Sequence, residues 1–294
     1  MKIAITGSGG WLARSAFAAI KRLQTEGFEL EAVMISSIRQ KIVVSQYGWY
    51  ETRTMSEYTN EQFDLFVPLA FLTQEKFNLL GEKYFRDSNL AIINSDLDLL
   101  RQQKNIKVLL ISSGVVQQAS KLQESNPSYL AYAELKKYQE KILRQNISES
   151  NFSLCYLYSC ISIDLPNWEN YAFSSIVHDA IYRDMILINN PNPVYRKYVD
   201  ARILFYVMFK ELYLSGNFTI SSSGALIEIE ELANKAIKVL DSKAIIKRSQ
   251  AKSDGLDDLY YSTDNTMDEL FSKHNETIAS IEELIRMTTK IFVD

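Results

Sequence analysis

The chain has 294 residues, of which 47% are apolar and 23% charged, so it can bury a full hydrophobic core without disulfides or metals. A formal net charge of −4 argues against a nucleic-acid-binding protein, which usually carries an excess of basic residues. Two His and two Cys cannot furnish a structural zinc site of the usual Cys/His type, and we expect no metal.

The first half of the chain alternates short apolar strands with amphipathic helices. This alternation is typical of a parallel sheet covered on both faces. We therefore predict a Rossmann-like, doubly wound α/β domain over residues 1–165. Its predicted strands are 3–6, 32–35, 42–44, 65–69, 108–111 and 153–158, and its predicted helices are 12–23, 75–85, 92–101 and 128–145.

The pattern becomes more mixed after Pro166. We predict that residues 166–294 form a smaller α/β lobe, interleaved with the first domain through part of 190–220. Its predicted helices are 172–183, 201–214, 228–240 and 281–292, and its predicted strands are 186–188 and 217–221.

A glycine-rich turn joins the first predicted strand to the first helix. Its spacing, Gly7-x-x-Gly10-x-x-Ala13, suits a dinucleotide, because glycine lets the backbone approach a pyrophosphate. The amide groups of Trp11 and Leu12, at the start of the helix, would then face the phosphates. The alternative is an ordinary turn that is rich in glycine.

The end of the second strand lacks the acidic residue that usually binds the adenosine ribose in NAD-selective sites. Ser36, Ser37 and Arg39 stand there instead. A guanidinium group suits a 2′-phosphate, so the pattern favours NADP over NAD. The alternative is that Arg39 is a solvated loop residue.

Tyr132 and Lys136 are four residues apart on a predicted helix and therefore share one face. A nearby cation lowers the pKa of a phenol, which can then exchange a proton with a carbonyl or alcohol while hydride moves to or from a nicotinamide. With 17 Tyr in the chain, this spacing also arises by chance. Ser112 and Ser113 follow the strand 108–111, where parallel sheets bind ligands, and could polarise the same carbonyl or merely cap a turn.

Together these motifs resemble the extended short-chain dehydrogenase/reductase superfamily, in particular the NAD-dependent epimerase/dehydratase group that acts on nucleotide sugars. Residues 64–70, Asp-Leu-Phe-Val-Pro-Leu-Ala, are similar to the fourth-strand motif of that group, with Pro68 in place of His. Asn94 lies in the helix where the family often has Asn. The resemblance covers nearly the whole chain and includes, in the right order, 112–116, 196–200, 220–224 and 229–233.

The resemblance implies a role for each matched residue. Tyr132 would be the acid/base, and Lys136 would lower its pKa and hold the nicotinamide ribose. Ser113 would hydrogen-bond the reacting oxygen, with Ser112 as the alternative, and Arg196 would hold a nucleotide diphosphate in the smaller, substrate-binding lobe. NADP or NAD would contact Gly7, Gly10, Trp11, Leu12, Ser36, Arg39, Leu69, Ala70 and Lys136.

The activity implied is that of an NAD(P)-dependent nucleotide-sugar epimerase or reductase, which would fit surface-polysaccharide synthesis. Dehydration ranks last, because Gly114 and Val115 stand where a dehydratase of this group carries Asp-Glu. The alternatives are a non-catalytic dinucleotide sensor of the same fold and a reductase of a non-sugar carbonyl compound.

The resemblance also implies a homodimer, since two long helices of each subunit form a four-helix interface in that family. In this chain these helices would be 88–101 and 128–145. The apolar face would come from Ile92, Leu99, Leu130 and Tyr138.

We expect a cytoplasmic protein with no membrane partner. The longest apolar stretches are far shorter than the roughly 20 residues that a membrane span needs, and the N-terminus lacks the regions of a signal peptide. In that compartment Cys155 and Cys160 would remain buried thiols.

Overall fold

A computed structural model describes residues 1–58, 61–118, 126–166, 168–251 and 255–293. The chain divides into two compact units. The first consists of Met1–Leu157 and Met208–Ser221, and the second of Tyr158–Val207 and Ser222–Asp294. No helix of the described residues combines the length and the apolar character needed to cross a membrane.

Strands and helices follow one another along most of the described residues. The strands are β1 (Lys2–Thr6), β2 (Glu31–Met34), β3 (Gln40–Val44), β4 (Gly48–Thr52), β5 (Leu65–Pro68), β6 (Lys107–Ser113), β7 (Phe152–Leu157), β8 (Ser159–Ile161), β9 (Met185–Ile188), β10 (Val194–Asp200), β11 (Thr219–Ser221), β12 (Ala225–Glu228), β13 (Ile245–Arg248) and β14 (Asp258–Tyr260). The helices are α1 (Trp11–Thr25), α2 (Gln74–Leu80), α3 (Glu82–Arg101), α4 (Gly114–Gln117), α5 (Pro127–Asn146), α6 (Ala172–Tyr182), α7 (Ala201–Leu214), α8 (Ile229–Leu240), α9 (Thr266–Lys273), α10 (Ile281–Thr288) and α11 (Lys290–Val293).

The first unit is built on a six-stranded sheet with the strand order β11-β7-β6-β5-β1-β2. Every neighbouring pair in this sheet is parallel. Nearly every residue of β5 and β6 is buried, which requires cover on both faces of the sheet. The predicted Rossmann-like α/β fold is confirmed, and the predicted strands at 3–6, 32–35, 65–69, 108–111, 153–158 and 217–221 all lie in this sheet.

The strand predicted at 42–44 is not part of the parallel sheet. It belongs to β3, which pairs with β4 as an antiparallel hairpin. Ile42 and Tyr50 face inward, whereas Val43 and Trp49 are 69% and 52% exposed. The apolar run looked like a buried strand because Val43 is apolar although it lies on the solvent face.

The helix predicted at 75–85 is interrupted at Gly81, which has φ +83°. Glycine adopts positive φ without a steric penalty, so α2 ends there and a new helix begins. That new helix, α3, runs unbroken to Arg101 and contains the predicted segment 92–101. Leu99 on α3 is only 5% exposed and belongs to the core, so it cannot supply a subunit interface as predicted.

The second unit contains smaller sheets around its own core. One has the order β12-β10-β14 with β8 also paired to β10, and the other pairs β13 with β9. Helices α6, α8 and α10 contribute Phe173, Leu232 and Ile285 to this core. The predicted helices at 172–183, 201–214 and 228–240 are present, but β8, β10, β12–β14 and α9 were missed because short, mixed segments carry little periodicity.

Candidate functional site

The glycine-rich turn connects β1 to α1 in the first unit. Gly7 has φ +65°, and a Cβ atom there would lie 2.5 Å from the amide nitrogen of Ala70, so no other residue fits. The Gly10 amide donates to the Gly7 carbonyl oxygen at 2.9 Å and closes the turn. The structure thus brings the end of the fourth-strand motif, Leu69 and Ala70, beside the turn. Gly10 offers the first turn of α1 no side-chain cap, which is typical of a turn that receives a phosphate.

The β3–β4 hairpin packs against this turn. The Tyr50 hydroxyl donates to the Ser8 carbonyl oxygen at 2.6 Å, and the Tyr50 ring contacts that of Phe17 with 4.8 Å between centroids. The side-chain Nε2 of Gln40 lies over Gly9, 2.9 Å from where a Cβ atom would stand. The sequence analysis did not predict these contacts. The alternation of inward-facing and outward-facing residues along the two hairpin strands was the pattern that could have indicated them.

Ser36 and Arg39 follow β2, as predicted. The Ser36 amide donates to the Arg53 carbonyl oxygen at 2.9 Å. The Arg39 guanidinium is largely exposed and forms an ion pair with Glu57. The hydrogen bond from Arg39 lowers the pKa of Glu57 to about 2. The carboxylate therefore stays ionised beside Arg39, the residue predicted to bind a 2′-phosphate.

Lys136 connects α5 to the end of a central strand. Its Nζ donates to the Ile111 carbonyl oxygen in β6 at 3.2 Å and to Gln139 Oε1 at 3.2 Å. Ile111 directly precedes Ser112 and Ser113. The bond therefore fixes the Tyr–Lys helix to the end of the serine-bearing strand.

The two serines at the end of β6 differ in their contacts. Both are buried, with 3% of Ser112 and 8% of Ser113 exposed. Ser113 Oγ accepts a hydrogen bond from the Val115 amide at 3.3 Å and caps α4. Ser112 Oγ has no hydrogen-bond partner among the described residues.

The Phe71 ring contacts both members of the Tyr–Lys pair. Lys136 Nζ lies 4.0 Å from the ring centroid, and the Tyr132 ring meets Phe71 edge-on at 5.6 Å. Phe71 directly follows Leu69 and Ala70, so it enters this site from the end of β5. The ring covers the ammonium group that the sequence assigned to a nicotinamide ribose. Sequence reasoning missed this residue.

The buried polar residues of α3 are Asn89 and Asp96, not Asn94. Asn94, the predicted counterpart of the family Asn, is exposed, whereas Asp96 is only 1% exposed. Burial raises the pKa of the Asp96 carboxyl, against the opposing effects of the Lys136 charge and the Gln139 amide. Burial likewise lowers the pKa of Lys136, against the opposing charge of Asp96.

Arg196 belongs to the second unit, whereas the other predicted site residues belong to the first. It lies in β10, and its guanidinium forms a bidentate ion pair with the Asp258 carboxylate at 3.1 and 2.9 Å. It also donates to the carbonyl oxygens of Tyr195 and Asp258. The donor fork that a diphosphate would use is thus engaged inside the sheet of the second unit.

The first unit fits the two halves of a dinucleotide unequally. The constrained Gly7–Gly10 turn and the uncapped start of α1 suit the pyrophosphate. At the nicotinamide half, the Phe71 ring covers one side of the Lys136 ammonium group, so a ribose hydroxyl cannot reach the ammonium from that side. A nicotinamide ribose that bound this side of the ammonium would require the Phe71 ring to move.

No protein-family model matches the chain, and no curated protein matches it. Several solved structures, however, match the chain. The UDP-glucose 4-epimerase of Bifidobacterium longum in complex with NAD+ and UDP gives a TM-score of 0.70 at 13% identity, covering 99% of this chain and 98% of that one. The UDP-N-acetylglucosamine 4-epimerase of Bacillus cereus gives 0.71 at 15% identity, with 99% and 96% covered. The dTDP-glucose 4,6-dehydratase of Bacillus anthracis in complex with NAD gives 0.67 at 11% identity, with 99% and 96% covered. This likeness establishes the fold.

Proposed function

We propose that this chain, which has the fold of nucleotide-sugar epimerases and dehydratases, is an NAD(P)-dependent epimerase or reductase acting on a nucleotide-activated sugar. The observation that carries the proposal is the hydrogen bond from Lys136 Nζ to the Ile111 carbonyl oxygen. It joins the Tyr–Lys helix to the strand end that bears Ser112 and Ser113. A phenol, an ammonium group and two hydroxyls are thereby gathered in the unit that also carries the dinucleotide turn.

Each of these residues acts on a stated atom in the proposal. The Tyr132 hydroxyl exchanges a proton with a sugar hydroxyl or keto oxygen, and the Lys136 ammonium lowers the pKa of that phenol. A serine hydroxyl donates to the same oxygen, from Ser113 or from Ser112, whose Oγ has no partner among the described residues. The bound cofactor accepts or supplies the hydride. Return of the hydride to the other face of the ketone gives epimerisation, and net delivery gives reduction.

Both NAD and NADP remain candidates for the cofactor. Ser36 at the end of β2 favours NADP, because it places no carboxylate against a 2′-phosphate. Glu57 beside Arg39 favours NAD, because its negative charge opposes a phosphate at this guanidinium. NAD is also the dinucleotide in the similar structures of the Bifidobacterium longum and Bacillus anthracis enzymes.

The second unit would bind the substrate, and the two units would divide the work between cofactor and sugar. For Arg196, a diphosphate would have to replace or share the Asp258 carboxylate. A homodimer belongs to the proposal, supported by exposed apolar side chains on α2, α3 and α5: Leu79, Tyr84, Leu90 and Tyr138. So does a cytoplasmic location, which the buried thiols of Cys155 and Cys160, not joined in a disulfide, favour. A role in surface-polysaccharide synthesis completes the proposal.

The test is a panel of nucleotide sugars, each incubated with the oxidised or the reduced form of NAD or NADP. The products are separated by chromatography and analysed by mass spectrometry, and the cofactor is followed by nicotinamide absorbance. Isomerised product, or reduced product with oxidised cofactor, supports the proposal if Tyr132→Phe abolishes it. Turnover that persists in Tyr132→Phe contradicts the proton-transfer assignment.

The second candidate function is a non-catalytic dinucleotide sensor. The observation that favours it is the Phe71 ring, which covers the Lys136 ammonium and contacts Tyr132. Cofactor binding without turnover of any sugar in the panel, in both the wild type and Phe71→Ala, would select this candidate.

A further inference from the structure

Asp96 is a buried carboxylic acid for which the proposed reaction has no use. It lies on α3, is 1% exposed, and its Oδ2 has no hydrogen-bond partner among the described residues. α3 packs on α5, which carries Lys136. A carboxylate buried without a partner is strongly destabilising, so its position next to a buried ammonium requires an explanation.

Gln139 is the second buried polar group of this cluster. It is fully buried one turn after Lys136 on α5, and its Oε1 accepts the hydrogen bond from Lys136 Nζ at 3.2 Å. Its Nε2 has no hydrogen-bond partner among the described residues, and neither has Asp96 Oδ2. Two buried polar atoms on the packed helices α3 and α5 are thus left unpaired beside the hydrogen bond of Lys136.

The surroundings of Lys136 contain one opposite charge among the described residues. Its Nζ donates to the Ile111 carbonyl oxygen of β6 and to Gln139 of its own helix, and it lies over the Phe71 ring. The titratable Tyr132 lies one turn earlier on the same helix. The charge of Asp96, on the packed helix α3, acts on Lys136 and is acted on by it. An ammonium that is 5% exposed is retained only with such a countercharge, or else it loses its proton.

We propose that Asp96 is a positioning residue for Lys136: its carboxyl group, buried on the helix that packs on α5, is the countercharge that keeps the lysine against the Ile111 carbonyl. The pair then titrates as a unit, because each charge favours the other. The consequence for catalysis rests on the proposed function: the charge that tunes Tyr132 depends on a carboxyl group that touches neither substrate nor cofactor.

The first experiment measures the protonation of Lys136 directly and requires no activity. The protein is labelled with ¹³C-lysine, the Lys136 Cε signal is identified by its loss in Lys136→Met, and its chemical shift is followed against pH by NMR. Asp96→Asn keeps the shape of the side chain and removes its charge. We expect the pKa of Lys136 to fall by about 1 to 3 units, the usual effect of losing an opposite charge at close range. An unchanged pKa would overturn the proposal.

The matched control for this titration is Asp98→Asn. Asp98 lies on the same helix, but it is exposed and pairs with Arg101 at 3.0 Å. Its substitution should leave the Lys136 signal where it is. A shift of equal size in both variants would mean that long-range charge, rather than contact, sets the pKa, and would also overturn the proposal.

A double-mutant cycle covers the case in which Asp96→Asn folds poorly. Asp96→Leu leaves the lysine buried without its countercharge, whereas Asp96→Leu combined with Lys136→Met leaves no charge at all. We expect the double variant to unfold at a higher urea concentration than Asp96→Leu alone, since breaking a buried pair destabilises more than replacing both partners. Additive effects would contradict the coupling.

The pH profile of kcat adds a readout that a merely structural role would not move. In Asp96→Asn the loss of activity at high pH should begin at a lower pH than in the wild type. If the wild type turns over no nucleotide sugar while the Lys136 titration still depends on Asp96, the proposed function fails and this inference stands. If the wild type is active and the Lys136 pKa ignores Asp96, this inference fails and the proposed function stands.

Discussion

The Phe71 ring lies over the ammonium group of Lys136, with 4.0 Å between its centroid and Nζ. A cation over an aromatic face is stabilised by the ring quadrupole, by about 2 kcal/mol when both are shielded from water. This contact holds the lysine side chain in place, and the ring occupies one side of the ammonium group. Any ligand that binds this side must first displace the ring.

The first prediction concerns this ring. Phe71→Ala should tighten dinucleotide binding by about 5- to 30-fold, because the cation–π contact of about 1–2 kcal/mol no longer has to be broken. Isothermal titration calorimetry with NAD and NADP measures the effect. Phe77→Ala is the control, since Phe77 packs edge-on against Phe85 on the neighbouring helices and does not contact Lys136. Weaker or unchanged binding in Phe71→Ala would show that the ring supports the site instead of covering it.

The second prediction concerns the phenol of Tyr132. Tyr132→Phe should lower kcat by at least about 10²-fold, the usual contribution of general acid–base catalysis. Folding and cofactor affinity should change little, because the ring that contacts Phe71 is kept. Tyr129→Phe serves as the control, since Tyr129 lies one turn earlier on α5 and is 38% exposed. Equal kcat values for the two variants would mean that another group transfers the proton.

The third prediction concerns the choice between NADP and NAD. Glu57→Gln should improve the affinity for NADP by about 2- to 5-fold, because it removes a countercharge from Arg39 and exposed ion pairs are weak. Affinity for NAD should not change, and Arg39→Ala should weaken NADP alone. Fluorescence titration of both cofactors tests this, with Glu61→Gln, whose carboxylate pairs with Lys2, as the control. NADP binding that ignores both substitutions would place the adenosine ribose away from Arg39.

The fourth prediction concerns stability against pH. Burial raises the pKa of Asp200 from 3.8 to about 6, even though its Oδ1 accepts a hydrogen bond from the Arg202 amide. The unfolded chain releases this proton near pH 4 and the folded chain near pH 6, so the free energy of unfolding falls between these values. Asp200→Asn should therefore be more stable than the wild type by about 1–3 kcal/mol at pH 7, with little difference below pH 4.

Urea denaturation at pH 4, 5, 6 and 7, values spanning the titration window of about two units, measures this dependence. Exposed Asp184 of the same unit provides the control Asp184→Asn. A stabilisation by Asp200→Asn that is the same at every pH would contradict the titration and point to packing instead.

The elements of the first unit could be predicted because their signals are local. Buried strands such as Val108–Leu110 are continuous apolar runs, and α1 and α5 repeat apolar residues at helical spacing. The hairpin was misplaced for the same reason, since a run of apolar letters does not tell which face meets water. Val43 is apolar and exposed, and only the structure shows that the opposite face of the hairpin, with Tyr50, packs against the glycine turn.

The sequence predicts the spacing of the candidate-site residues along the chain, but not which groups surround them in the fold. The four-residue interval from Tyr132 to Lys136 placed both on one helix, and the structure adds that Lys136 reaches Ile111. Asn94 was predicted because its type matched a family pattern, whereas the orientation of α3 exposes Asn94 and buries Asn89 and Asp96. Helix orientation depends on the whole apolar face of a helix rather than on one side chain.

By itself the sequence determined the parallel α/β architecture, the glycine turn and the helical interval of the Tyr–Lys pair, because periodicity and backbone conformation act over a few residues. Only the tertiary structure decided which groups surround these motifs: Phe71 and Asp96 at Lys136, Glu57 at Arg39, and Asp258 at Arg196. These partners come from distant segments, and their charges and rings meet only when helices and strands pack. The chemistry available to Lys136 follows from that packing, since burial and a countercharge, and not the residue type alone, set its pKa.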